Sequence, residues 1–236
     1  MIDLSPLTLI GGHYGSGKTE VAVNLAFLAR KTGRDVTLAD VDIVNPYFRS
    51  YEQRVPLEDA GIRVVTGALG GTADLPALPA ELGRLFTADP AETAIIDLGG
   101  DPVGARVLAR YHDQLDDVAF QFYLVLNANR PETGTADKAL AMIAEIESLS
   151  RQHMTGIINN THLLDDTTVE DVLKGDRLAR EVAARSGIPF VLTTVLEHLV
   201  PVLENRVQVP VMPLTRRMLK PWESNKSEGE FEWLHE

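Results

Sequence analysis

Two kinds of apolar pattern alternate along the chain. Short runs rich in β-branched residues recur at Leu7–Ile10, Val36–Val41, Ile62–Thr66, Ala94–Leu98, Val118–Leu126, Gly156–Ile158 and Phe190–Val195, and each reads as a strand. Between most of them apolar residues return at helical spacing: Val21, Leu25 and Leu28 with Ala22, Ala26 and Ala29 beside them, then Leu108, Tyr111 and Leu115, then Ala136, Leu140 and Ile143, then Leu178 with Val182. Gly33 supplies the stop for the first helix. Strands that read as continuous apolar runs are buried on both faces. The pattern therefore predicts an α/β fold, a mostly parallel twisted sheet with helices on both faces. Such sheets bind ligands at the carboxyl ends of their strands.

The segment between the first strand and the first helix carries the strongest chemical signal. Gly12-His13-Tyr14-Gly15-Ser16-Gly17-Lys18-Thr19 fits G-x-x-x-x-G-K-[ST], the phosphate-binding loop, in the strand-loop-helix context its mechanism requires. Glycines let backbone N–H groups turn toward phosphate oxygens, Lys18 reaches the β- and γ-phosphates, and the Thr19 hydroxyl ligates Mg²⁺ at a helix N-terminus whose dipole favours an anion. Gly12 through Glu20 are thus the candidate nucleotide-contacting residues, and the fold expected is that of a P-loop NTPase.

Hydrolysis also needs carboxylates at neighbouring strand ends to hold Mg²⁺ and position water. Leu38-Ala39-Asp40-Val41-Asp42 ends the second strand with two of them, and Asn45-Pro46 then breaks the extended run. Ala94-Ile95-Ile96-Asp97-Leu98-Gly99-Gly100-Asp101 is an apolar strand ending in Asp, with glycines that can bring a backbone N–H against the γ-phosphate. Asp40, Asp42 and Asp97 join Thr19 as candidate metal residues. Gly67–Thr72 reads as a flexible loop.

Composition narrows the chemistry. The 236 residues, 44% hydrophobic, suffice for one α/β domain, expected over residues 1–222, with a polar tail at 223–236. With no Cys there is no disulfide, thiolate zinc site or cysteine-held iron–sulfur cluster. A formal net charge of −12 opposes broad attraction to nucleic acid or anionic lipid. Arg30, Lys31 and Arg34 fall where cations complement the end of the first helix, and Arg216, Arg217 and Lys220 form a second small cluster. No signal-peptide or spanning segment opens the chain, so the cytoplasm is the expected location.

The loop, the D-x-D pair and the Asp-ended strand together resemble the ParA/MinD-type ATPases, the deviant P-loop group with the CobQ/CobB/MinD/ParA nucleotide-binding domain. In that family the loop reads K-G-G-x-G-K-[ST], and a D-x-D pair follows about two dozen residues after the loop lysine. Asp42 lies 24 residues beyond Lys18. The resemblance implies Lys18 and Thr19 as phosphate and Mg²⁺ residues, Asp42 as the water-positioning residue, Asp40 as a supporting acid and Asp97 as the Walker B residue. It also implies that Asn160, or Asn159, contacts adenine, since Ile157-Ile158-Asn159-Asn160 is similar to the family's base-contacting strand end. The segment from Asp42 to Ser50 is similar to that of a bacterial branch of the group. His13 stands where relatives have the lysine associated with nucleotide-sandwich dimers, and Tyr14 replaces the next glycine.

The expected function is a Mg²⁺-dependent ATPase that switches conformation on ATP binding and hydrolysis, with a protein partner and a nucleotide-dependent homodimer as its associations. Two other readings fit the same loop. One is a small-molecule kinase or ligase using Arg49, Arg106 or Arg130 as an anion anchor. The other is a nucleotide-locked scaffold with little turnover. ATP over GTP is implied by the family likeness of Asn160, since no Asn-Lys-x-Asp guanine signature follows the Gly156–Ile158 strand.

Overall fold

A computed structural model describes residues 5–41, 54–66, 82–86, 92–100 and 104–218. Within them the chain runs β1 (Leu7–Gly11), α1 (Lys18–Lys31), β2 (Asp35–Asp40), α2 (Arg54–Asp59), β3 (Ile62–Thr66) and β4 (Glu92–Asp97). A 3₁₀ helix at Gly104–Tyr111 leads directly into α3 (His112–Asp116), followed by β5 (Phe120–Leu126), α4 (Ala136–Ser150), β6 (Gly156–Asn159) and α5 (Val169–Ser186). Then come β7 (Phe190–Leu196), α6 (Val200–Leu203) and β8 (Val211–Leu214). The D-x-D residue Asp42, the segment to Ser50 with Arg49, the Gly67–Thr72 loop, Asp101, Lys220 and the tail at 223–236 lie outside the described residues.

The strands form one eight-stranded sheet in the order β3-β2-β4-β1-β5-β6-β7-β8, and each neighbouring pair is parallel. From β1 the chain winds to one side through β2 and β3, returns to β4, then crosses to β5 and grows outward. That reversal opens a crevice at the carboxyl ends of β4, β1 and β5. Alternation within the buried strands feeds two cores. Leu7 and Leu9 of β1, with Phe122, Leu124 and Leu126 of β5, pack with α4, α5 and the 3₁₀ helix. Ile10, Tyr123 and Val125 point the other way, toward Val21, Leu25 and Ala26 of α1. Each such Leu or Ile, fully buried, contributes about 1.5–3 kcal/mol.

Helix ends follow local chemistry. Thr168 and Asp171 form a reciprocal capping box at the start of α5. α1 stops at Lys31, with Gly33 in the left-handed region at φ 84°.

The structure corrects three sequence expectations. The stretch around Leu108 is 3₁₀ rather than α over Gly104–Tyr111, because Leu108 and Tyr111, three residues apart, eclipse on one buried face in a three-residue turn. β5 begins at Phe120, since the Val118 N–H closes a turn by donating to Leu115 O. β8 is absent from the apolar pattern, its four residues being interrupted by Pro213; it is an edge strand, where a missing N–H is tolerated. No helix among the described residues is long and apolar enough to cross a membrane.

Candidate nucleotide-binding site

Gly12–Gly17 link β1 to α1 at the carboxyl edge of the sheet. The loop curls back on itself: Ser16 N–H and Lys18 Nζ both donate to His13 O, at 3.1 and 3.2 Å. Lys18 is buried, and its ammonium lies 5.9 Å from the centroid of the Tyr14 ring. The Tyr14 ring packs on Gly100, where a Cβ would stand only 2.4 Å away. Gly17 caps α1 at φ 84°, and a Cβ there would lie 2.2 Å from Asn160 Nδ2, so this position excludes any side chain.

Strand register brings the acid to the loop. Ile10 of β1 is level with Asp97 of β4, and Asp97 is level with Asp40 of β2. As a result Thr19 Oγ1, one residue into α1, donates to Asp97 Oδ2 at 2.6 Å although 78 residues separate them. Asp40 lines the same cavity. Among the described residues no group of three or more His, Cys, Asp or Glu gathers to hold a metal. A hydroxyl and a carboxylate side by side suit a hard cation that takes its other ligands from phosphate and water, as Mg²⁺ does.

Beside the loop is a cavity of about 400 Å³. Its lining joins polar and charged residues, among them Lys18, Thr19, Asp40, Asp97 and Arg130, to apolar ones, among them Leu164, Val195, Leu196, Leu214 and Met218. A lining of both kinds suits a triphosphate joined to a flat base. Sequence reasoning missed the apolar wall, whose residues carry no motif.

Two expected site residues shape the cavity through the backbone. Asn160, 1% exposed, donates from Nδ2 to Ser16 O at 2.7 Å and accepts from Thr194 Oγ1 at 2.7 Å, so its amide ties the loop to β7. Of the two asparagines it alone lines the cavity; Asn159 turns toward α5, donating to Val172 O at 3.1 Å. The Glu20 carboxylate accepts from Arg217 N–H and Met218 N–H at 2.8 and 2.9 Å, fixing the segment after β8 as a wall. Burial raises its pKa, and those backbone N–H groups offset part of the rise.

Nothing in the sequence singles out His162. Its Nδ1 accepts from Leu164 N–H at 3.2 Å, and it faces the cavity next to Gly17. Burial, then the charges of Arg130 and Arg216, lower its pKa to about 4. At neutral pH it is therefore an uncharged ring with Nε2–H as a donor. The basic cluster at the end of α1 is structural: Arg30 donates to Ala60 O and Arg34 O at 3.2 and 3.0 Å. Arg106 is exposed and does not line the cavity.

Residues 7–191 match the family model described as the CobQ/CobB/MinD/ParA nucleotide binding domain. A comparison with curated proteins returned no significant match. Among solved structures, the fold is similar to that of the cell division protein FtsY of Thermotoga maritima (24% identity, TM-score 0.57, 81% of this chain and 62% of that one). It is also similar to the signal recognition particle receptor FtsY from Elizabethkingia anophelis in complex with GDP (20%, 0.54, 84% and 59%). The chloroplast FtsY of Physcomitrella patens is a third (21%, 0.55, 82% and 59%). The chain spans about three fifths of the length of these structures, and at such identities the likeness is one of fold.

Proposed function

Since the chain belongs to the CobQ/CobB/MinD/ParA nucleotide-binding domain family, we propose that it is a Mg²⁺-dependent ATPase whose nucleotide state switches its conformation for a protein partner. The observation that carries this reading is the convergence of Lys18, Thr19 and Asp97 at the start of α1, with the Thr19–Asp97 contact of 2.6 Å on the wall of the cavity. Mg²⁺ bound by Thr19 and backed by Asp97 would neutralise charge on the β- and γ-phosphates. Lys18 leaves His13 O to take a phosphate oxygen, and the N–H groups of the loop and of the first turn of α1 receive the anion. Asp42 positions the attacking water. Asn160 keeps the loop in shape and stands beside the base.

ATP rather than GTP is supported by the strand end after β6. It reads Asn160-Thr161-His162-Leu163, with Leu163 where a guanine-reading Asp would stand. Leu163 is 49% exposed and offers no acceptor for the guanine N1–H and N2–H₂ donors. The GDP held by one FtsY structure makes guanine the competitor to test. Calorimetry with Mg·ATP and Mg·GTP, on the parent and on Lys18→Ala, decides the matter. ATP is expected to bind at least about tenfold more tightly than GTP, a difference of ~1.4 kcal/mol, and Lys18→Ala is expected to lose binding and turnover. Equal affinities would overturn the adenine assignment, and undiminished ATP hydrolysis by Lys18→Ala would overturn the site.

A further inference from the structure

We propose that Arg130 is a catalytic residue acting from within the same chain, contacting the γ-phosphoryl oxygens during hydrolysis; the inference rests on the ATPase reading above. Its first ground is charge. Mg·ATP brings a net charge of about −2, and of the loop residues Gly12–Gly17 none carries a fixed cation; Lys18 beyond them supplies one. Arg130 lines the same cavity and supplies another, with a planar fork suited to phosphate oxygens.

The second ground is how Arg130 is held. Its Nε donates to Gly15 O at 2.8 Å. The guanidinium packs against the phosphate loop, its Cζ, Nε and Nη2 atoms 2.7–2.9 Å from where a Gly15 Cβ would stand. Gly15 is at φ 71°, so the loop both exposes that carbonyl and leaves room for the arginine. Among the described residues neither Nη atom donates to anything. One edge of the fork is thus anchored to the loop, and the other remains available to an anion.

The third ground is the mount. Arg130 follows β5, next to β1 in the sheet. Arg130 N–H donates to Asn127 O, Thr133 N–H donates to Arg130 O, and Thr133 Oγ1 donates to Asn127 O, all at 3.1 Å. Asn129 is clamped by Asp171 and Lys174 of α5 at 3.0 and 2.9 Å. Arg130 is an exposed residue, and these bonds hold the backbone turn that carries its side chain. A charge to be delivered to a developing transition state needs such support, because preorganisation is what makes it effective.

Hydrolysis joins a water oxygen to the γ-phosphorus and breaks the bond from that phosphorus to the oxygen bridging the β-phosphate. The bonding pair leaves on ADP; one water proton stays on the released phosphate and the other passes to solvent. The Nη groups of Arg130 would stabilise charge on the γ-phosphoryl oxygens as that exchange proceeds.

The test uses the full chain as parent, Arg130→Ala and Arg130→Lys. It measures single-turnover ATP hydrolysis, Mg·ADP affinity, affinity for Mg·ADP with aluminium fluoride, and specific activity against protein concentration. The expected result is a fall in the hydrolysis rate of Arg130→Ala of about 10³-fold, a similar loss of aluminium fluoride complex, and Mg·ADP affinity within about threefold of the parent. Arg130→Lys, which keeps the charge but not the fork, is expected to recover only part of the rate. Should Arg130→Ala not fold, Arg130→Lys carries the same comparison. Unchanged hydrolysis overturns the proposal. So does a loss of Mg·ADP affinity as large as the loss of rate, which would make Arg130 a brace for Gly15. Recovery of activity on mixing Arg130→Ala with Lys18→Ala would place the arginine across a dimer and refute action within one chain. A parent that binds ATP without turning it over overturns this inference and the ATPase reading together, whereas active parent and variant alike overturn this inference alone.

Discussion

Replacing Asn160 by Ala tests whether the phosphate loop is held open from behind. The amide is 1% exposed, donates to Ser16 O and accepts from Thr194 Oγ1, both at 2.7 Å, and Thr194 is itself 2% exposed. The variant leaves the Ser16 carbonyl without this donor; Thr194 Oγ1 keeps a contact to Asn159 O at 3.2 Å. One buried acceptor deprived of its donor costs about 1–3 kcal/mol, and the second bond, partly replaced, about 0.5–1.5 kcal/mol. Their sum is about 3 kcal/mol, and a chain of this size loses about 2–4 °C of Tm per kcal/mol, or about 6–12 °C in all. The melt is followed by circular dichroism with and without nucleotide, and affinities for Mg·ATP and Mg·GTP by calorimetry. A loop brace makes both affinities fall together, because the cradle serves any triphosphate. A residue whose whole contribution is to adenine would lower ATP affinity alone. A melt within about 1 °C of the parent, with ATP affinity unchanged, would refute the geometry on which the site is built.

Two further perturbations address the walls of the cavity. His162 has a folded pKa of about 4 against an ordinary 6.5, so the unfolded chain binds more protons between those values. Its contribution is fully present above pH 6.5 and lost as pH falls through 4. The difference amounts to about 3 kcal/mol, at about 1.36 kcal/mol for each tenfold change in proton affinity. In urea melts from pH 7 to 4 the parent should lose about 3 kcal/mol more stability than His162→Gln, and parallel curves would refute the burial argument. Gly175 lies where α5 crosses β6, and a Cβ there would meet Asn159 Oδ1 and Thr161 Oγ1 at 2.1 Å. Gly175→Ala gains up to about 1 kcal/mol of helix propensity but loses about 1–3 kcal/mol to overpacking, so it should destabilise. A variant with a higher urea midpoint than the parent would show that α5 can move away without penalty.

The parallel sheet and the first helix were legible because buried strands write their burial as apolar runs, and Val21, Leu25 and Ala26 of α1 fall on one core face. Lys18 and Thr19 were legible because their spacing is fixed by local backbone chemistry. Asp97 was legible as an Asp ending an apolar strand, and the register of β1 with β4 places it at the loop. The roles of Glu20 and Asn160 were not. Each acts on backbone atoms far along the chain, Glu20 on residues 217 and 218 and Asn160 on residue 16, and such contacts leave no periodic trace. His162 lacked a signal for the same reason: its neutrality comes from burial and from Arg130 and Arg216, which only the fold brings near.

Glu20 links the helix that follows the phosphate loop to the segment after β8. It sits in the first turn of α1, two residues beyond Lys18, and its carboxylate takes both backbone N–H groups at the end of the segment after β8. Asn24, one turn later, pairs its amide with the backbone of Thr215, donating to O and accepting from N–H at 3.0 Å each. The wall formed by Leu214, Arg216 and Met218 is therefore fastened to the same helix whose N-terminus faces the phosphates. Any tilt of α1 that accompanies phosphate binding must carry that wall with it or break these four hydrogen bonds. Breaking them would take two backbone donors from a half-buried carboxylate, which makes the coupled movement the cheaper one. Glu20→Ala should accordingly loosen the wall and leave Lys18 in place. Affinity for inorganic triphosphate should stay within about threefold while affinity for ATP falls at least about tenfold, or ~1.4 kcal/mol. Equal losses for both ligands would mean that the wall contributes nothing to holding the base.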